Sequence, residues 1–266
     1  MTQASLPHRE RVTIDRLRLR LSAAEQVTGL TREGCAPVEL GIAAVDAALG
    51  GGLACAALHE IAAVRESEAS AATAFALAVA ARFSVANPRS ALLWVAEDRS
   101  VCENGAPYGP GLDAAGIPAE QLITVAAARA RDVLWAMEEA LRCHAVGVVI
   151  GEVCARGIDH VATRRLSLAA AAGETLGLLL RITPDDEPCA FTTRWSIGAA
   201  PSAVSTQRYH GIGPPRLAVR LVRNRRGHRG AWIVEWNSVE QRLELTTHSE
   251  PMAQPAFDRS HRTAVA

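Results

Sequence analysis

The sequence contains no lysine: its 28 basic side chains are all arginine, set against 28 acidic ones, for a formal net charge of zero. That absence excludes Schiff-base chemistry on a lysine, and with it pyridoxal-phosphate and aldolase-type reactions. It also excludes a Ser-Lys hydrolase pair and any P-loop whose lysine reaches the nucleotide phosphates. Aromatic residues are scarce at 4%, so the core must be built from Ala, Val, Leu and Ile. No uncharged apolar run reaches the roughly 18 residues of a membrane span. The amino-terminal MTQASLPHRER lacks the apolar stretch of a signal peptide. The six cysteines, at 35, 55, 102, 143, 154 and 189, form no C-x-x-C pair and have no His at ligand spacing. They read as buried thiols in a reducing cytoplasm and not as metal ligands.

What is present describes an ordinary globular protein: 266 residues, 49% hydrophobic and 21% charged, enough for one large domain with a real core. The zero net charge hides an asymmetry. Residues 1–187 carry 17 Arg against 23 acids, whereas residues 188–234 carry 8 Arg, two His and no acid. A basic segment on a mildly acidic body predicts an acidic partner, nucleic acid among others.

The chain divides into an amino-terminal polar or helical arm (1–36), an α/β core (37–248) and a disordered tail (249–266). In the arm, Arg16–Leu21 alternates like a strand, while Ile14, Leu17 and Leu21 also fit one helix face, and Ser22 with Glu25 could form a capping box. Within the core, Val45–Leu49 predicts a short helix closed by three glycines, and Ala57–Ala63 a strand. A long Ala-rich helix follows from Ser70 to Arg82. Ala91–Ala96, Leu122–Val125, Val146–Ile150 and Leu176–Ile182 predict further strands. Helices capped by Asp132 and Asp159 separate the later ones, and the Gly- and Pro-rich stretch 100–118 predicts a long loop with room for one turn of helix. Buried strands alternating with helices mean a predominantly parallel sheet flanked by helices. Arg216–Val222 and Ala231–Trp236 predict a C-terminal β-hairpin with a basic tip.

The order strand, polar loop, helix over 57–82 is where a phosphate-binding loop belongs, because the N–H groups at a helix start attract anions. The working pattern is G-x-x-x-x-G-K-[ST]. Here Ala63 and Glu68 stand at the two glycine positions and Ala69 at the lysine; only Ser70 fits. A carboxylate at Glu68 would repel a phosphate by about 4 kcal/mol at close range. The magnesium-positioning acid expected at the end of strand 146–150 is Gly151, with Glu152 one residue on, where a one-residue slip turns a side chain to the other face. His59 and His160 have no partner at metal spacing and read as structural, and no cofactor or metal is expected.

These features together resemble a RecA-type recombinase core over roughly residues 38–236. Leu40–Gly52 resembles the segment leading into that family's P-loop, and Glu60-Ile61 the start of the P-loop strand. Glu97, closing Ala91–Glu97, falls on the family's catalytic glutamate. Arg181, within Leu178–Ile182, falls on a nucleotide-sensing glutamine. Arg223 and Arg225, in Val222-Arg223-Asn224-Arg225, fall on basic residues that contact nucleotide across a subunit interface. The DNA-binding loops are not recognisable. Within that superfamily the chain resembles the ImuA family, the SulA- and RecA-related proteins of the alphaproteobacterial mutagenesis cassette. The likeness rests on the Ala-rich degenerate loop, Gly151-Glu152, Thr193-Arg194-Trp195 with Ala200-Pro201-Ser202, and the basic hairpin.

The resemblance implies a non-catalytic accessory protein of SOS-induced translesion synthesis. Its implied partners are ImuB, a Y-family-like polymerase homologue, an error-prone DnaE-type polymerase, and RecA itself. Two alternatives stay open. One is an unconventional ATPase in which Arg65 or Arg181 replaces the lysine; the other is a SulA-like division inhibitor that docks on FtsZ. Arg223, Arg225, Arg226 and Arg229 are the candidate contacts for a protein or for DNA. Trp195, Trp232 and Trp236 read as the core face of the sheet in preference to base-stacking residues. Tyr108, between Pro107 and Pro110, is a candidate docking position or a plain connector.

Overall fold

The computed structural model describes residues 36–87, 90–154, 156–182, 189–202 and 213–246. The expected arm helices over 13–34 and the tail over 249–266 lie outside the described residues. The core begins with helix α1 (Ala43–Leu49). Then come strand β1 (Leu58–Ala63), helix α2 (Ala69–Ala86) and strand β2 (Ala91–Glu97). Two short helices, α3 (Asp98–Asn104) and α4 (Gly109–Ala114), precede β3 (Leu122–Ala127). Helix α5 (Ala130–Leu141), β4 (Val146–Val153), α6 (His160–Ala172) and β5 (Leu176–Arg181) complete the alternating part. Four strands close the chain: β6 (Thr193–Ala200), β7 (Arg216–Asn224), β8 (Gly230–Asn237) and β9 (Arg242–Leu245).

All nine strands form one sheet in the order β3-β2-β4-β5-β1-β6-β7-β8-β9. The first six are parallel; β7, β8 and β9 extend the sheet antiparallel. Every residue of β1, β4 and β5 is buried, the signature of parallel strands covered on both faces. One face carries α2. The other carries α5 and α6, which Glu138 ties together by accepting from Arg142 and Arg165. Helix α2 is apolar around its whole circumference and buries Phe75 against Trp195, ring centroids 5.3 Å apart. Together with the turn before it, α2 is long and apolar enough to cross a membrane by composition, yet it fills the core, as an all-round apolar helix must.

Four expectations need correction. The stretch 100–118 holds more helix than the expected loop with one helical turn: its glycines and prolines punctuate α3 and α4, with Pro110 in the first turn of α4, where its missing N–H costs nothing. Asp132 is not a cap, because Arg129 holds the cap position; the Asp132 carboxylate instead takes the guanidinium of Arg129 at 3.2 Å. The strand at 146–150 does not end at Gly151 but runs on to Val153. Cys102, Cys143, Cys154 and Cys189 are thiols as expected, but Cys55 is disulfide-bonded; spacing alone cannot foresee such a pairing, which depends on approach in space. Strands β6 and β9 were not foreseen. The antiparallel part, with its hairpin of β7 and β8, is accordingly larger than the predicted one. Trp195 is buried in the core, and Trp232 and Trp236 pack partly buried against it.

Candidate functional site

The loop at the anion-binding position folds as a single 3-10 turn, Glu66–Glu68, that runs directly into α2. The Val64 N–H donates to the Ile197 carbonyl at 2.9 Å, which fastens the loop to β6. Arg65 donates to the Glu68 carboxylate at 3.0 Å. The Glu68 carboxylate also faces Gly198 of β6, where a Cβ would stand 3.5 Å from Oε2. Ala63 and Ala69 turn their methyl groups into the core, and Ser70 is exposed. The turn that leads into this 18-residue helix thus carries two acids, Glu66 and Glu68, near its positive end, although no side chain caps it.

Gly151 lies inside β4 on the face toward α5. A Cβ there would stand 1.9 Å from Met137 Sδ and 2.8 Å from its Cγ. Glycine thus fits closely against Met137 where a magnesium-positioning acid was sought, and a larger side chain there would have to turn the flexible thioether aside. The β2–β4 register runs unbroken through Gly151 and Glu152, so no bulge redirects Glu152. It stays on the α2 face, buried, accepting from Trp94 Nε1 at 3.1 Å and from the Ser100 hydroxyl. Burial pushes its carboxyl up, and the two hydrogen bonds act against that shift. Glu97, at the end of β2, accepts the Cys154 N–H at 3.1 Å and joins the ends of β2 and β4. The Cys154 thiol is pushed up by burial and by the carboxylates of Glu97, Glu103 and Glu152, the reverse of an activated nucleophile.

A cleft of about 350 Å³ opens at the carboxyl ends of β1, β2, β4 and β5, where α/β sheets bind ligands. Its charged lining is balanced: Glu66 and Glu103 against Arg99 and Arg156, with Arg99 and Glu103 paired at 2.9 Å. The lining therefore offers no excess positive charge.

Sequence reasoning named Glu60 and Arg181 but missed that they pair as the most buried charges. Glu60 in β1 and Arg181 in β5 are fully buried and paired at 3.1 Å, and Arg194 of β6 binds the other Glu60 oxygen. Burial pushes the Glu60 carboxyl up, against the opposing pull of Arg194 and Arg181. The available signal was two opposite charges, each alone in an otherwise apolar strand, LHEIAA and LGLLLR. Both arginines proposed as lysine substitutes are thus held by the chain's own carboxylates, Arg65 by Glu68 and Arg181 by Glu60.

The basic hairpin is anchored and not freely solvated. Asn224 Nδ2 and the His228 N–H both donate to the Ala48 carbonyl, at 2.9 and 3.0 Å, at the C-terminal end of α1. A Cβ on Gly227 would stand 2.2 Å from that same oxygen, so only glycine permits the approach. Arg223 and Arg225 both donate to the Cys189 carbonyl, at 3.2 and 3.4 Å. Arg223, Arg225, Arg226 and Arg229 are exposed, and none has a carboxylate partner among the described residues.

Comparison with known proteins yields two kinds of likeness. Protein ImuA of Caulobacter vibrioides, in each of two strains, is 33% identical over 197 residues, spanning 70% of this chain and 77% of that protein. The RadB recombinase, known from a crystal structure, superposes with a TM-score of 0.54 at 13% identity, covering 79% of this chain and 99% of its own. That second likeness is one of fold alone. No family model matches the chain.

Proposed function

The chain belongs to the ImuA family, and from that membership we propose that it serves SOS-induced, error-prone translesion synthesis as an accessory protein without nucleotide turnover. The observation that carries this reading is the loop at 64–70, where the Arg65–Glu68 pair and the 3-10 turn stand at the α2 start. Met137 against Gly151 supports it from the other side of the sheet. The proposed partners are an ImuB-like Y-family polymerase homologue and a DnaE-type polymerase, with RecA as a third. The exposed arginines 223, 225, 226 and 229 are their proposed contacts.

The test is titration calorimetry of the full chain with magnesium ATP, alongside purification of the tagged protein from DNA-damaged cells. The expected outcome is no binding heat and retention of a polymerase subunit. Binding at about micromolar Kd, near −8 kcal/mol, lost on Glu97→Ala or Arg65→Ala, overturns the non-catalytic part. Retention of FtsZ without any polymerase subunit overturns the role itself.

A further inference from the structure

We propose that the outer face of α6 and the arginine-rich end of β7 form one continuous docking surface for an acidic, amphipathic protein segment. The surface deepens the accessory reading by giving the chemistry of what it binds.

The two parts are physically joined. The Ala190 N–H donates to Thr163 Oγ1 in the first turn of α6, at 3.1 Å. One residue earlier, the Cys189 carbonyl accepts from Arg223 and Arg225. Along β7, Leu217, Val219 and Leu221 enter the α2-side core, which turns Arg220 and Val222 to the face on which α6 lies. The β6–β7 ladder bulges there: Arg194 pairs with Arg223 and Trp195 with Leu221. Val222 is left as the extra residue and the strand bends outward.

The exposed side chains alternate apolar and cationic. On α6, Val161 is 65% and Leu168 61% exposed, and Arg164 lies between them on the outer face. Neither α6 nor residues 188–234 contain an acid. Arg164, Arg220, Arg223 and Arg225 have no carboxylate partner among the described residues, whereas Arg65, Arg99, Arg129, Arg142, Arg165, Arg216 and Arg242 each have one. Four guanidinium groups without a carboxylate partner therefore share this face, while Arg82, Arg156, Arg226 and Arg229 also lack one among the described residues. Val161 and Leu168, two turns apart with Arg164 between them, suit a helix that carries Leu-type and carboxylate side chains together. They suit a phosphate backbone less well, since nothing apolar is recognised there and the tryptophans that could stack bases pack on the opposite face.

The test measures anisotropy of a labelled helical peptide of Leu/Glu heptads with the full chain. Controls are a peptide of the same charge with Ser for Leu, and a single-stranded oligonucleotide. Binding of the Leu/Glu peptide is expected, weakened about tenfold by Leu168→Ser and by Arg164→Glu, and about tenfold weaker for the Ser/Glu peptide. Thermal unfolding should be unchanged, because neither side chain makes an internal contact among those described. Equal affinity for both peptides overturns the apolar component. Tighter binding of the oligonucleotide, unaffected by Leu168→Ser, makes this a nucleic-acid surface instead, and absence of all binding overturns the proposal. Mutagenesis assays in a deletion strain separate the two readings. Full complementation by both variants sinks the docking surface alone. A deletion without effect on mutagenesis, with peptide binding intact, sinks the accessory role alone.

Discussion

His59 is wholly enclosed and uses both ring nitrogens. Nε2 lies 2.7 Å from the Ala54 carbonyl and Nδ1 2.7 Å from Thr193 Oγ1, which in turn accepts from Trp195 Nε1 at 2.8 Å. The chain of donors assigns the neutral ring with its proton on Nε2. Burial lowers its pKa to about 4; the Ala54 hydrogen bond opposes this and the positive charge of Arg226 adds to it. An unfolded chain binds the proton near pH 6.5, the folded one only near 4. Stability is therefore full above pH 6.5 and falls between pH 6.5 and 4, by about 3 kcal/mol from this residue. Urea midpoints measured from pH 7.5 down to 4.5 should show the loss, and His59→Gln should flatten that part of the profile. His59 was legible in the sequence only as a structural histidine. One partner, Ala54, is close in sequence, but Thr193 lies 134 residues on and no spacing rule connects it to His59.

The basic hairpin illustrates how far an element can be read in advance. Alternation in Arg216–Val222 and Ala231–Trp236 revealed both strands, since one face must be apolar. Docking of the tip on α1 was not legible, because it depends on a carbonyl at residue 48 meeting a glycine at 227. The strands β6 and β9 escaped for a related reason: Arg194, inside an apolar alternation, makes sense only once Glu60 lies opposite. Asn224→Ala removes the side-chain bonds to the Ala48 and His228 carbonyls and should cost about 1 kcal/mol for each bond lost. Hydrogen exchange should accelerate at the His228 amide. The His59 pKa should rise as Arg226 moves away, and NMR titration follows that directly.

At the scale of the whole molecule, Glu60 lies inside the parallel part of the sheet, one strand away from the β6–β7 junction where the antiparallel extension begins. It links β5 through Arg181 to β6 through Arg194. Glu60→Gln weakens both links at once inside the core and should lower stability by about 3 kcal/mol. Denaturant unfolding followed on both halves should show a single lowered transition. A loss within a few tenths of a kcal/mol, as for an exposed pair, would contradict that role. The α/β order and the degenerate loop were visible in the sequence because strands and helices differ in hydrophobic period. The reason for Gly151 was not, since it lies in the girth of a methionine from another element. That contact also couples two distant positions: the tolerance of residue 151 for a side chain is set by how freely the thioether of residue 137 can turn aside, so the two sites should be varied together and not singly.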